Sequence, residues 1–235
     1  MPRHPVLVLQ HSHAEFLAQW EVPFETLGIG FDYCRPYVGD AVPLLPQGHR
    51  LVISLGGPMG PRHRDEVAHL KGEERFLRIA LREGVTVVGI ELGGQLLATG
   101  HGGRVEPCDP FCTLTKAHPT EAGLVDPLLA GLSEPFPVLR WQTDRVTLPA
   151  DAVVLAVDPQ GEPLIARIGA KGYALWFHPQ VKSALLEDMV MEYGDFVPTD
   201  PLVCIEAARG HAQALGAAGQ RLAINVLRLS GLLDV

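Results

Sequence analysis

One acidic residue, Glu91, stands where an apolar run ends and a helix begins, in Gly89-Ile90-Glu91-Leu92-Gly93-Gly94-Gln95, with no residue to spare between the two. A strand-to-helix corner this tight pushes its apical side chain out over the end of a sheet, as a nucleophile elbow does. The N–H of Leu92 opens the helix, has no partner inside it and is available to an anion. A carboxylate at such a corner can serve as general acid or base if burial and neighbours tune its pKa. It is a poor nucleophile toward an amide, because attack would give a reactive anhydride.

A second candidate cluster is Gln10-His11-Ser12-His13, directly after the first apolar run. It falls at the carboxyl edge of a sheet, where sites of open α/β folds collect. His11 and His13, with Glu91 and His178, are candidate ligands of a borderline divalent cation. The competing expectation is that Ser12 caps a helix and His13 is solvated. No other cofactor is expected. Cys34, Cys108, Cys112 and Cys204 form no C-x-x-C pair, no second pair follows Cys108/Cys112 at zinc-site spacing, and all four are expected to be reduced thiols.

These residues need elements to hold them. Val6–Leu9, Leu51–Leu55 and Val85–Ile90 are apolar without alternation, which suits strands buried on both faces of a parallel sheet. Ile29 to Cys34 reads as another strand. Helices are expected over about 14–27, 72–83 and Leu92–Thr99, and alternation with strands predicts a covered parallel sheet. Residues 101–170 are rich in Pro and Gly, with short β-like runs at Pro137–Trp141, Val153–Val157 and Leu164–Ile168, then Tyr173–Phe177. Beyond Val181 the chain reads as helical, interrupted at Gly194, at Pro198–Pro201 and near Gly216–Gly219. A helix from Asp200 to Leu215 is expected to pack through Val203, Ala207 and Leu215. Asp65 and Glu66 read as a solvated loop near the site mouth, and Trp141, Trp176 and Phe177 as core or pocket wall. No linker divides the chain, so residues 1–235 are expected to form one domain, with 181–235 packed on it.

The chain resembles the class I glutamine amidotransferases over nearly its whole length. The family's Gly-x-Cys-x-Gly-x-Gln elbow stands here as Gly89-x-Glu91-x-Gly93-x-Gln95. Gly56-Gly57-Pro58 matches its Gly-Gly-Pro loop, and Trp176-Phe177-His178-Pro179-Gln180 its Gln-Phe-His-Pro-Glu. Arg140-Trp141-Gln142-Thr143-Asp144 looks like its His-x-His-x-Asp loop with both His replaced. The C-terminal helices resemble stand-alone members similar to the glutaminase part of GMP synthase.

The resemblance implies an α/β fold of three layers, flavodoxin-like, with an open, mostly parallel sheet. It implies an oxyanion hole at the Gly57 and Leu92 amides and a substrate pocket at Gly56, Pro58, Gln95 and Trp176. It puts Glu91, His178 and Gln180 at the three triad positions, so the nucleophile and the His-orienting acid are replaced. A glutaminase needs the thiolate and a charged partner for its His, so glutamine hydrolysis is expected to be absent. The expected role is then a binding, partner or regulatory subunit, with a synthase or other protein as partner. The alternatives are changed chemistry by Glu91 and His178 on a small amide or amine, and the family's amide-nitrogen transfer. The carboxylate is expected to lie with one oxygen in the oxyanion hole and the other toward His178, with its pKa depressed and that of His178 raised.

Composition sets the outer bounds. Of 235 residues, 47% are hydrophobic, too many for a disordered chain. With 19 Lys and Arg against 27 Asp and Glu, the net charge of −8 argues against a nucleic-acid partner. No apolar run nears the length of a membrane span, and no signal-peptide pattern opens the chain, so a cytoplasmic location is expected.

Overall fold

The computed structural model describes residues 2–132, 134–193 and 201–234. The expected parallel strands form its centre. β1 (Val6–Leu9), β2 (Phe31–Cys34), β3 (Leu51–Ser54), β4 (Thr86–Ile90) and β9 (Gly172–Leu175) lie in the order β2-β1-β3-β4-β9, all parallel. β1, β3, β4 and β9 are buried at every position, which explains their unbroken apolar character. The sheet continues antiparallel through β8 (Pro163–Ile168), β7 (Val153–Val157), β5 (Arg104–Pro119) and β6 (Phe136–Thr147), nine strands among the described residues.

Helices cover the two faces. α2 (Ala68–Arg82) and α3 (Leu92–Thr99) bury Leu70, Phe76, Leu77, Leu96 and Leu97 against one face. On the other, α1 (Glu21–Thr26) and α7 (Ala212–Leu229) bury Phe24, Leu222, Ala223 and Val226 with Val8, Ile53 and Val88 of the sheet. A third apolar cluster joins α5 (Ser183–Tyr193) and α6 (Pro201–Gly210) to Leu139, Trp141 and Cys112 of the β5–β6 hairpin. A single turn, α4 (Glu121–Leu124), follows β5 and is capped by the Thr120 hydroxyl. Among the described residues no helix is long and apolar enough to cross a membrane.

Several expectations are corrected. The helix expected over 14–27 is a 3-10 turn, Ala18–Trp20, followed by the six-residue α1. Ala18 has φ 48°, which breaks a continuous helix. β5 is a sixteen-residue strand that the sequence hid, because Pro107 and Pro110 interrupt its pattern where the ladder shifts register between Pro107 and Phe111. α2 begins at Ala68 rather than residue 72. α7 runs unbroken through Gly216 and Gly219, because glycine there serves close approach. A Cβ on Gly219 would come within 2.1 Å of the Pro179 carbonyl.

The expected helix from Asp200 to Leu215 is two, parted at His211. α6 buries Cys204, Ile205 and Ala208 and leaves Val203 exposed. On that buried face Cys204 is disulfide-bonded to Cys112 of β5, which corrects the expectation of four reduced thiols. Cys34 and Cys108 are free. The expected breaks at Gly194 and through Pro198–Asp200 lie outside the described residues.

Candidate active-site cleft

β4 is held between β3 and β9, and the chain turns directly from Ile90 into α3. Glu91 at the corner has φ 46° and ψ −106°, a strained conformation for any residue with a Cβ. Gly93 lets the helix start against β3, since a Cβ there would lie 2.1 Å from the Ser54 carbonyl oxygen. The elbow opens on a cleft of about 300 Å³ lined by Gly57, Pro58, Leu92 and Gln95, by Trp141, Gln142 and Thr143 of β6, and by Glu15 and His178. Arg62 and His63 from the loop after β3, and Met189 and Tyr193 of α5, complete it.

The 43–193 segment matches the family model "Glutamine amidotransferase class-I". The chain belongs to that family. This class I glutamine amidotransferase-family chain is 28% identical over 172 residues to the glutamine amidotransferase-like protein YfeJ of Salmonella typhimurium, covering 71% of each chain. It is 30% identical over 155 residues to the glutamine-hydrolyzing GMP synthase of Porphyromonas gingivalis, covering 63% of this chain and 28% of that enzyme. Among solved structures, a glutamine amidotransferase from Thermotoga maritima matches with a TM-score of 0.82 at 24% identity, covering 96% of this chain and 97% of that one. A glutamine amido transferase from Methylobacillus flagellatus matches at 0.83 and 18% identity, covering 96% and 95%. These structures share its fold.

In this amidotransferase-family cleft Glu91 does not sit as expected. Its Oε2 accepts a long hydrogen bond, 3.3 Å, from Gln142 Nε2, and its Oε1 has no partner among the described residues. Neither oxygen takes the Leu92 or Gly57 amide. Gln142 is itself held, donating to the Trp176 carbonyl at 3.1 Å and accepting from Arg140 at 2.8 Å, while Arg140 pairs with Asp158 at 2.5 Å. Burial pushes the Glu91 pKa well above the usual carboxylate range, and Gln142 and the Arg140 charge pull it only part of the way back. The expected depressed pKa is therefore reversed, because the amides that would hold the anion are not engaged.

His178 follows β9 and is 2% exposed, and no side chain among the described residues hydrogen-bonds its ring. Burial lowers its pKa to about 4, a backbone contact with Trp141 opposing this only in part, again opposite to expectation. The carboxylate within ion-pair range is Glu15, whose Oε2 lies 3.6 Å from His178 Nδ1. Gln180 is fully buried, with neither amide atom partnered among the described residues, so it does not hold the imidazole. Glu15 comes from the irregular segment after β1 and fits because Gly56 has no side chain: a Cβ there would lie 2.0 Å from Glu15 Oε2. Burial pushes Glu15 up to about 8, the His11 charge opposing this and Glu192 adding to it.

His11 turns away from the cleft. Its Nδ1 lies 3.0 Å from the Gly56 carbonyl oxygen and its Nε2 2.8 Å from Glu73 Oε2. Burial alone would lower the His11 pKa, but the Glu73 charge and hydrogen bond outweigh it and the net shift is upward. Glu73 is lowered in return despite its burial, by His11 and by the Ser54 hydroxyl donating at 2.6 Å. His13 is exposed and meets the Tyr37 ring edge-on. The metal-ligand set that the structure gathers is therefore His11, His69 and Glu73, and it leaves out His13, Glu91 and His178. Ser12 caps no helix, its hydroxyl being bonded to Tyr193 Oη.

Trp176 gives its carbonyl to Gln142 and lines a neighbouring cavity of about 520 Å³ with Cys108, Arg140 and Arg145 rather than the cleft. Asp65 is exposed and paired with Lys71 at 2.6 Å. At the mouth Arg62 bonds Asp144 at 3.0 Å. Sequence reasoning missed Glu15, Arg62, His63 and Tyr193. None lies in a motif, and only the fold brings them to the elbow.

Proposed function

We propose that this class I amidotransferase-family protein does not hydrolyse glutamine through a thiolate, and that its cleft binds a small amide or amine against Glu91. The observation that carries this reading is Glu91 at the strained apex, buried, with one carboxyl oxygen unpartnered and its pKa raised by desolvation. Strained backbone and carboxyl groups shifted by burial cluster at functional sites. Among the described residues lining that cleft there is no cysteine. Cys112 and Cys204 are bonded to each other, and Cys34 is buried at the end of β2.

Burial shifts the Glu91 and Glu15 carboxyl groups toward their protonated forms and His178 toward the neutral imidazole. A protonated Glu91 can donate a hydrogen bond to an amide carbonyl. It can equally pass its proton to an amine, leaving a carboxylate–ammonium pair. The role is binding or regulatory, and acid–base chemistry on the bound molecule is the second reading, favoured by the tuned carboxyl group. A synthase partner belongs to the proposal, because one relative is a glutamine-hydrolyzing GMP synthase of which this chain spans 28%.

Ammonia release from glutamine by the purified protein tests the first half. We expect none above background, and turnover near 1 s⁻¹, within the usual enzyme range, overturns it. Calorimetric titration with glutamine and with a short primary alkylamine tests the second half. Binding of either should be lost in Glu91→Gln, and equal binding by the variant refutes a role for Glu91.

A further inference from the structure

We propose that His11, His69 and Glu73 form a site for a borderline divalent cation of the Zn²⁺ type, separate from the cleft. Their donor atoms lie within 4.8 Å of one another. His69 and Glu73 are four residues apart on α2 and so share one face of that helix. His11 reaches them from the segment after β1. None of the three lines the cleft that holds Glu91.

The hydrogen bonds around the cluster already sort its atoms as a metal site requires. A carbonyl oxygen only accepts, so the contact with Gly56 O fixes a proton on His11 Nδ1 and presents Nε2 to Glu73. Ligating histidines commonly donate their second nitrogen to a backbone carbonyl in this way. Ser54 Oγ takes up Glu73 Oε1 and leaves Oε2 facing His11. His69 stacks its ring 6.1 Å from that of His11, and its Nε2 is shielded from solvent with no hydrogen-bond partner among the described residues. A shielded ring nitrogen beside a buried carboxylate is an acceptor or ligand that lacks its counterpart.

The donor set, two imidazoles and one carboxylate, matches catalytic-type zinc sites with three protein ligands and an open fourth position. Tetrahedral coordination with legs of about 2.0–2.1 Å separates ligand atoms by about 3.3 Å. The His11–Glu73 pair at 2.8 Å needs only a small opening, and His69, half-exposed on the helix, supplies the rest by rotation. On binding, the cation replaces the proton between His11 Nε2 and Glu73 Oε2, and that proton leaves to solvent. His11 also grips the Gly56 carbonyl and abuts Gly57, where a Cβ would lie 2.8 Å from the His11 Cβ. A bound cation therefore clamps the loop that carries Gly57 into the cleft.

The test is metal content after dialysis against Zn²⁺ and then metal-free buffer, together with the visible spectrum after Co²⁺ is used instead. We expect about one Zn²⁺ per chain, an intense tetrahedral Co²⁺ spectrum, and a melting temperature higher by roughly 5 °C with metal present. His69→Ala should drop bound metal at least tenfold while leaving the metal-free circular dichroism and melting little changed, because His69 is half-exposed and its Nε2 holds no hydrogen bond among the described residues. Glu91→Gln should keep the full metal content. No retained metal, undiminished metal in His69→Ala, or loss of metal in Glu91→Gln overturns the proposal. The last outcome would move the cation to the cleft.

Discussion

Two buried carboxyl–imidazole pairs, one reaching the Gly56-Gly57 loop through His11 and the other through Glu15, have opposite electrostatic fates. Glu73 and His11 are 2.8 Å apart, and a serine hydroxyl and a backbone carbonyl take their remaining valences, so each stabilises the charged form of the other. Glu15 and His178 are 3.6 Å apart with little other support, and burial drives both toward neutrality. Equal burial therefore does not decide charge. Hydrogen-bond completeness does, because a desolvated ion is tolerated only where its lone pairs and protons are met. The completed pair holds the loop. The incomplete pair is left facing the cleft, where a ligand can complete it.

Removing the completed pair should give the largest effect. Glu73→Ala strands His11 and Ser54 in the interior and should lower stability by about 3–5 kcal/mol in urea unfolding. A loss below 1 kcal/mol would erase the contrast between the pairs.

The incomplete pair should respond in the other direction. The folded-state pKa of Glu15, about 8, lies above its ordinary 4.5, so the folded protein holds the proton more tightly. Stability should then fall as pH rises from about 4.5 to about 8 and be flat above. Glu15→Gln should remove that decline and gain on the order of a few kcal/mol at pH 9, with little gain at pH 4. His178 runs oppositely: its pKa is lowered from 6.5 to about 4, so its contribution weakens as pH falls through that interval. Melting temperatures of wild type and variant across pH 4–9 measure both slopes.

Glu91→Gln should raise stability at pH 7 by about 1 kcal/mol, since it removes a desolvated carboxyl group and loses only a 3.3 Å hydrogen bond. A loss of similar size in the same melts would show that the carboxyl group is better supported than its neighbours suggest. Smallest of all, Lys71→Ala breaks the exposed Asp65 pair and should leave the melting temperature unchanged. A clear drop there would mean that exposure, too, fails to predict pair strength.

The parallel half of the molecule was legible in its residues because strands buried on both faces leave unbroken apolar runs, as in Val6–Leu9 and Leu51–Ser54. The elbow was legible because Thr86–Ile90 meets Leu92–Thr99 with one residue between them. The long β5 was not, since two prolines mask it. Glu15 was not, since its meeting with a histidine 163 positions away depends on the bare Cα of Gly56. His69 and Glu73 were hidden by placing the start of α2 at Gly72 rather than Ala68, which put His69 outside the helix. The direction of the Glu91 shift was missed because the sequence names the amides near the elbow but not where the carboxyl group points.

The bridge from Cys112 to Cys204 spans 92 positions and ties α6 to the β5–β6 hairpin. A protease cut anywhere inside that span leaves the chain as one covalent object. Nicked protein would run as a single band on a denaturing gel without reductant and as two bands with it. The elbow, at residue 91, lies outside the span, so a cut between Glu91 and Cys112 would release it from everything the bridge retains.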